Sequence, residues 1–419
     1  MANFRVWYST KSFGDFIIDH TLLKKHKIDS RQLYESDASK PTYFHTLPDH
    51  IKKILYLDCP DLIVEYEMEP IFSIEISSEA GTGHNAFQRF ARIAAAAENG
   101  VPAIYIYPEA AIIARKDAPV RWDSINPLIF KALDRVMSIY KIPALLYYYP
   151  SDYEDSRYAA HPDTSPNRRT KGLKMNHNHR YAGCPISEDH HMIALFRTLD
   201  HIINNVLHYG STNRLSDLIG NQDIMEDRDW MLDEFSSKNF PVRSIDKMSP
   251  LTSTTIVPTE YVINYIADKH KLKTTMVSEL ISSRSESLIY SINAQFRGDP
   301  YPGAVSAIDY LKCRQGVTFE DRKYNLILCW GTVERDDCNK RLIIRGNKAS
   351  IDDFVNTVKN CSSQNLLTRD YRNLASNEIP RYYMQVRYGS MYSKAKHIRV
   401  YSYFADAILF NDGSLWRNA

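Results

Sequence analysis

Acidic residues in the first quarter of the chain are spaced so that their side chains can meet at one end of a β-hairpin. Residues 61–68 (DLIVEYEM) and 71–77 (IFSIEIS) have the composition of two strands, joined by Glu69 and Pro70. Because side chains alternate between faces along a strand, Glu75, Ser77 and Glu79 share one face if the second strand extends that far. Asp61 and Glu75 can then converge on a divalent cation, which activates water and offsets charge on a phosphodiester.

A simpler interpretation of the same acids is also open. Charge on the outer face of a strand is common, so the hairpin can be amphipathic with a solvated acidic face. That face would contain Glu65, Glu67, Glu69, Glu75 and Glu79. The loop at residues 78–85 (SEAGTGHN) favours the metal interpretation, because two glycines and an asparagine before a helix suit a backbone that approaches a phosphate or an ion.

A helix and a buried strand are predicted directly after the hairpin. Residues 85–99 are rich in alanine and precede Gly100, which is typical of a helix and its end. Its apolar stripe comprises Phe87, Phe90, Ala91 and Ala94. Residues 101–107 (VPAIYIY) then predict a buried strand reached by a helical crossover. A helix at 127–140 and a strand at 142–149 are expected to extend this sheet.

With this order of hairpin, helix and strand, the segment from about Leu47 to Tyr107 resembles the PD-(D/E)XK nuclease superfamily. This superfamily includes many type II restriction endonucleases, and its core is a short mixed sheet flanked by helices. The matching residues are Pro60-Asp61 and then Glu75-Ile76-Ser77. The resemblance implies a Mg²⁺-dependent endonuclease that hydrolyses double-stranded DNA. It implies Asp61, Glu75 and the Ile76 carbonyl as metal ligands, with Glu79 binding a second ion or a water molecule.

Ser77 occupies the position at which the family has a lysine. That lysine is assigned to orienting the attacking water or stabilising the transition state, and a serine hydroxyl carries no positive charge to do so. The predicted catalytic set is therefore Asp61, Glu75, Ser77 and Gln88, in which Gln88 on the following helix is the best local substitute. Arg89 and Arg92 on the same helix are expected to neutralise a neighbouring phosphate of DNA.

The missing lysine also supports a second functional hypothesis. In this alternative the chain is a catalytically inactive nuclease-like protein that only binds nucleic acid or a partner protein. A third possibility is another enzyme or a regulatory protein whose α/β domain carries Asp61 and Glu75 by coincidence. Of the three, the nuclease is the function predicted here.

A basic stretch in the middle of the chain is the second predicted contact with DNA. Residues 164–187 contain neither aspartate nor glutamate, and their Pro, Gly and Asn content predicts a long loop. Its cations can contact phosphates, with binding that weakens as salt rises. The predicted DNA-binding residues of this loop are Arg168, Arg169, Lys171 and Lys174. A solvated linker explains the same composition equally well.

Histidines surround Cys184 in the sequence and raise the question of a zinc or His-Asn-His nuclease site. His177 and His179 lie only two residues apart in a polar loop, whereas that nuclease motif spreads its ligands over a hairpin and a helix. His190 and His191 follow soon after. The spacing disfavours a metal site, and the scattered cysteines indicate neither a disulfide framework nor a zinc ribbon.

Length and composition predict a soluble, cytoplasmic protein of two or three domains. The chain has 419 residues, 44% of them hydrophobic, and a formal net charge of +2. No apolar run reaches the roughly 20 residues of a membrane span. The predicted segments are an α/β nuclease-like core at 1–150, the basic loop at 151–187, a mainly helical segment at 188–297 and an α+β segment at 298–419.

The last segment is expected either to complete the active site or to recognise the DNA sequence. Asp299, Tyr301 and Asp309 form a polar cluster in it to which the sequence assigns no role. Double-stranded DNA is the predicted partner. Whether the protein forms a homodimer, and whether a cognate methyltransferase accompanies it, is left open by the sequence.

Overall fold

Two compact units make up the chain, and each contains its own six-stranded sheet. The first unit comprises Met1–Glu35, Leu47–Leu55 and Cys59–Ser244, and the second comprises Ser36–Thr46, Tyr56–Asp58 and Ile245–Ala419. The computed structural model describes residues 4–33, 47–55, 59–77, 89–113, 121–125, 127–151, 172–238, 252–278, 281, 284–292, 324–330, 332–345, 381–384, 407–413 and 415–418.

The sheet of the first unit is mixed and has the strand order β2-β1-β3-β4-β5-β8. β1 pairs with β2 in parallel and with β3 antiparallel, β3 and β4 form an antiparallel hairpin, and β4, β5 and β8 are parallel. The strands of this sheet are β1 Phe4–Tyr8, β2 Ile28–Gln32, β3 Leu62–Tyr66, β4 Glu69–Ile76, β5 Ala103–Pro108 and β8 Ala144–Tyr149. A separate hairpin pairs β6 Ala110–Ile113 with β7 Arg121–Ser124.

Burial follows strand position in this sheet. Every residue of β5 and β8 is buried, as expected for parallel strands that are covered on both faces. This core includes Tyr147, Tyr148 and Tyr149. In the hairpin, Glu67 and Met68 form the turn with positive φ angles, and the register shifts between Val64 and Glu65.

Helices flank the sheet and connect its parallel strands. The alanine-rich helix ends at Glu98, and Gly100 takes the positive φ of 73° that terminates it, as the sequence predicts. The helices of this unit are α1 Lys11–His20, α2 Asp49–Lys52, α3 Phe90–Glu98, α4 Leu128–Tyr140, α5 His190–Tyr209 and α6 Gln222–Ser237. Short 3₁₀ turns occur at Leu22–Lys25, His179–Tyr181 and Leu215–Gly220.

The helices α5 and α6 contact each other and strand β8. They therefore belong to the first unit, and the boundary between the units falls after Ser244, inside the segment 188–297 that the sequence predicts as one mainly helical region. That region also contains two strands of the second sheet. The sequence pattern identifies the helices correctly but does not show which sheet they cover.

The second unit is built on a sheet with the order β14-β16-β15-β11-β10-β9 and a separate β12–β13 hairpin. Its core includes Val257, Val262, Ile289, Ile327 and Leu409. Residues 411–413 lie in the turn between the antiparallel strands β15 and β16. The elements are β9 Thr252–Pro258, α7 Thr259–His270, α8 Thr274–Ser278, β10 Glu286–Ile292, β11 Asn325–Trp330, β12 Thr332–Asp336, β13 Arg341–Arg345, β14 Arg381–Met384, β15 Ala407–Leu409 and β16 Leu415–Asn418.

The protein is thus mixed α/β, with a mixed sheet flanked by helices, as predicted. No helix in the described part of the chain is both long enough and apolar enough to cross a membrane.

Candidate active site

Asp61 and Glu75 lie at the same end of the β3–β4 hairpin. The register places Leu62 opposite Ile74 and Ile63 opposite Ser73. Continued by one residue, this register puts Asp61 opposite Glu75. Opposite residues of an antiparallel pair project to the same face, so the two acids are neighbours, as the sequence predicts.

The Asp61 carboxylate is held by hydrogen bonds from two other strand ends. Its Oδ2 accepts a hydrogen bond from the main-chain N–H of Ile76 at 2.9 Å, and its Oδ1 accepts one from the Ser9 hydroxyl at 3.1 Å. The main-chain N–H of Ser9 also donates to the Asp61 carbonyl at 2.8 Å.

The Glu75 carboxylate is buried and binds two arginines. Its residue is only 1% exposed, and its two oxygens accept hydrogen bonds from the guanidinium groups of Arg89 and Arg92. Arg92 is buried at 2% exposure, whereas the Arg89 side chain is 28% exposed. The solvated-face interpretation is therefore wrong for Glu75. The predicted contact of Arg92 with DNA finds no support in this arrangement, because a buried guanidinium does not reach a phosphate.

Glu65 is also buried and belongs to a different polar network. One of its oxygens accepts a hydrogen bond from the Trp7 indole at 2.9 Å, with Arg5 at 3.4 Å, and the other contacts the His50 ring. Among the acids of this face that the structure describes, Glu67 in the turn and Glu69 at the start of β4 are exposed as the solvated-face interpretation requires. Glu65 is buried because β3 lies between β1 and β4 in the sheet and its carboxylate is covered by Trp7 and His50.

Arg89 lies where a cation would approach the predicted ligands. Besides Glu75, its Nη1 is 3.5 Å from the Ile76 carbonyl oxygen. Burial by itself would lower the pKa of Arg89, but the charge of Glu75, with a smaller effect from Asp61, raises this pKa above its usual range. One guanidinium thus interacts with Asp61, Glu75 and Ile76, which are three of the four residues predicted as metal ligands.

Two tyrosines line the same end of the sheet. The Tyr149 hydroxyl donates a hydrogen bond to the Ser77 carbonyl at 2.7 Å, and the Ser77 N–H donates to Ile106 at 2.9 Å. The Tyr107 hydroxyl is buried and has no hydrogen-bond partner within the described ranges. Burial raises the pKa of Tyr107, so its hydroxyl stays protonated beside the charges of Arg89 and Glu75.

The donor set fits a hard divalent cation by its chemistry. Two carboxylates and a main-chain carbonyl are oxygen ligands of the type that such cations prefer. The guanidinium at Glu75 and Ile76 shows that this position attracts positive charge. An ion would bind Glu75 in place of Arg89, while the buried Arg92 would remain paired with the same carboxylate.

Several predicted site residues lie outside the described residues. These are Glu79, Gln88, Arg168, Arg169 and Lys171, together with the cluster of Asp299, Tyr301 and Asp309. Lys174 is described and is exposed, next to the short bridge between Ser151 and Leu173.

The sequence did not identify the arginine pair as the partners of Glu75. The signal that was available is the helical spacing of Arg89 and Arg92, three residues apart on a helix that follows an acidic strand. Residues at that spacing lie on one helix face, so both can bind one buried carboxylate.

Comparisons with protein-family models, with curated protein sequences and with solved structures give no match for this chain.

Proposed function

We propose that the protein is a Mg²⁺-dependent DNA endonuclease that resembles type II restriction enzymes. The observation that carries this proposal is the position of Asp61 opposite Glu75, with the Ile76 N–H donating to Asp61. The order of elements around the pair is also the hairpin, helix and strand that the family resemblance implies. The basic loop and double-stranded DNA as substrate belong to the same proposal.

In this mechanism Asp61, Glu75 and the Ile76 carbonyl hold the ion. Bound there, Mg²⁺ would lower the pKa of a water molecule and offset charge on the scissile phosphate. The hydrogen bonds from Ser9 and Ile76 orient the Asp61 carboxylate before any ion binds. Gln88 is assigned to positioning the attacking water or the phosphate, in place of the lysine that Ser77 replaces.

Arg89 and Arg92 have different tasks in this proposal. Arg92 is buried and compensates part of the charge of Glu75 permanently. Arg89 is the N-cap residue of α3 and is partly exposed, so its side chain can turn away when an ion binds. It is then free to contact a phosphate of DNA, which is the task predicted for it from the sequence.

A catalytically inactive nucleic-acid-binding protein is the second candidate function. The observation that favours it is the pairing of Glu75 with two arginines, which neutralises the carboxylate without a metal. The absence of the family lysine at Ser77 points the same way. In this alternative the same end of the sheet is a rigid structural ion-pair site.

Cleavage assays with an Asp61→Asn variant distinguish the two functions. Asparagine keeps an oxygen that can accept from Ile76 but loses the negative charge that binds an ion. The proposal predicts discrete Mg²⁺-dependent cleavage of varied DNA by the unaltered protein and its loss in Asp61→Asn. Asp29→Asn is the matched control, since it removes a carboxylate from β2 of the same sheet. If the unaltered protein binds DNA without cleaving it, the result supports the inactive alternative. If it neither binds nor cleaves DNA, both proposed functions are overturned.

A further inference from the structure

Two adjacent histidines begin helix α5, and their rings lie side by side. The ring centroids of His190 and His191 are 4.0 Å apart with an interplanar angle of 35°. Asp189 is the N-cap, and its Oδ1 accepts a hydrogen bond from the His191 N–H at 3.0 Å. Trp230 of α6 stacks on His191 at 5.1 Å and fixes the orientation of that ring.

Each edge of this histidine pair faces a carboxylate. On one edge, the Nδ1 atoms of His191 and His190 are 3.0 Å and 3.7 Å from different oxygens of Asp189. On the other edge, the Nε2 atoms of His191 and His190 are 3.1 Å and 3.6 Å from one oxygen, Oε2 of Glu234. Two imidazole nitrogens therefore converge on a single carboxylate oxygen supplied by the neighbouring helix α6.

We propose that His190, His191 and Glu234 bind a divalent transition-metal ion of the Zn²⁺ type through these Nε2 and Oε2 atoms. Metal–ligand bonds of about 2.0–2.1 Å at tetrahedral angles separate the ligand atoms by about 3.3–3.4 Å. The distances from Oε2 of Glu234 to Nε2 of His191 and of His190, 3.1 Å and 3.6 Å, lie on either side of that value. This site is separate from the Asp61–Glu75 pair and does not depend on the nuclease function.

Asp189 completes the arrangement from the opposite edge. It accepts from Nδ1 of His191, and a carboxylate in that position fixes the tautomer that leaves Nε2 free for a metal. Asp189, His190 and His191 also have ligand atoms within 4.8 Å of one another. The Glu234 side is the better site, because one Asp189 oxygen already caps the helix and the two Nδ1 atoms face different oxygens.

The site is open to solvent, and its charge favours a cation. The His190 side chain is 61% exposed, so an ion has a path of entry and a fourth ligand position can hold water. Lys238 lies 3.5 Å from the other oxygen of Glu234, but it also binds Glu109 at 2.5 Å. The carboxylates of Asp189, Glu234 and Glu109 outnumber the one ammonium of Lys238 around the two imidazole rings.

The donor types select the class of ion. Imidazole nitrogens suit Zn²⁺, Co²⁺ and Ni²⁺, whereas Mg²⁺ prefers oxygen ligands and retains its waters. An ion at this position would join α5 to α6 at their contact and stabilise that part of the first unit. It is therefore a structural site, and its loss is expected to affect stability more than DNA chemistry.

Cobalt binding followed by visible absorption tests the proposal, because tetrahedral Co²⁺ with imidazole ligands has intense ligand-field bands. The full chain is expected to bind one equivalent with such bands, and both His190→Ala and Glu234→Gln are expected to weaken this binding by about tenfold or more. His190 is exposed, so its replacement leaves the core intact, and far-ultraviolet circular dichroism checks the fold of each variant. If Glu234→Gln does not fold, His190→Ala decides the outcome alone.

His201→Ala is the matched control. His201 of α5 is 3.2 Å from Asp223 of α6, so it is a histidine–carboxylate pair between the same two helices. Its replacement should leave the cobalt spectrum unchanged. The proposal is overturned if the unaltered chain shows no tetrahedral bands, if His190→Ala retains full binding, or if His201→Ala loses binding to the same extent.

Discussion

The carboxylate of Asp61 accepts a hydrogen bond from the main-chain N–H of Ile76 at 2.9 Å. This bond joins the residue that precedes β3 to the last residue of β4, and it fixes the direction of the carboxylate without an ion. A side chain that is oriented in advance loses little freedom when it binds a ligand. The Glu75 carboxylate is held instead by ion pairs with Arg89 and Arg92.

Replacement of Glu75 by alanine should destabilise the first unit strongly. It would leave Arg92 buried at 2% exposure without this counter-charge, and breaking a buried ion pair in this way costs about 3–5 kcal/mol. Urea unfolding followed by circular dichroism measures the free energy of unfolding. Glu69→Ala, at the exposed start of the same strand, is the control and should change stability by less than about 0.5 kcal/mol. Equal effects of the two substitutions would contradict a buried ion pair at Glu75.

Replacement of Arg89 by glutamine should lower the Mg²⁺ concentration that cleavage needs. In the proposed mechanism, the guanidinium competes with Mg²⁺ for Glu75. A partly exposed ion pair is worth up to about 1 kcal/mol, which corresponds to about fivefold in ion affinity. Mg²⁺ titration of DNA cleavage at saturating DNA measures the midpoint. Arg5→Gln, which removes another arginine that is paired with a buried glutamate, should leave the midpoint unchanged. An unchanged midpoint in Arg89→Gln would show that Arg89 does not compete with the ion.

Gln88→Ala is expected to reduce cleavage more than Ser77→Ala does. The hypothesis assigns the function of the family lysine to Gln88, whereas the Ser77 side chain is nearly buried at 6% exposure. A loss of about tenfold or more is expected for Gln88→Ala, in line with general acid–base or positioning roles. Single-turnover cleavage rates measure the effect. The assignment is wrong if Gln88→Ala cleaves at the unaltered rate.

Ionisation of the Cys184 thiol should lower the free energy of unfolding at alkaline pH. Burial raises the pKa of its thiol from 9.0 to about 12. The folded state therefore keeps the proton more tightly than the unfolded state, so the stabilising contribution is complete below pH 9.0 and is lost as the pH rises towards 12. Urea midpoints measured between pH 8 and pH 11 should fall less steeply in Cys184→Ala than in the unaltered chain. Parallel curves would show that this thiol does not titrate differently in the two states.

Strand alternation and helix composition were sufficient to predict the main elements of the first sheet. The hairpin at residues 61–77, the helix that ends at Glu98 and the strands β5 and β8 all appear where the pattern places them. Local patterns carry this information since the interacting residues are close in sequence. The alignment of Asp61 with Glu75 depends in addition on the register shift between Val64 and Glu65, because the pairing of Tyr66 with Glu69 next to the turn, continued without a shift, would set Asp61 opposite Ile74.

The partners of the buried acids could not be predicted in the same way. Glu65 binds groups from β1 and α2, and Glu75 binds two arginines from α3, so the pairings depend on how separate elements pack. The contact of Glu234 with the two histidines could not be predicted for the same reason, because Glu234 lies 43 residues from His191 along the chain. The spacing of Arg89 and Arg92 indicates that they share a helix face, but it does not indicate which carboxylate they bind.

The hydrogen bond from Tyr149 to the Ser77 carbonyl spans the intervening strand β5 and ties the end of β4 to β8. Successive carbonyls of a strand point in opposite directions, so this bond engages the Ser77 carbonyl and leaves the Ile76 carbonyl directed to the other side. The residues at the ends of β4 and β8 therefore lose conformational entropy when the protein folds and not when a ligand binds. A ligand that bound this end of the sheet would therefore meet a preformed surface, on which the Arg89 side chain is partly exposed.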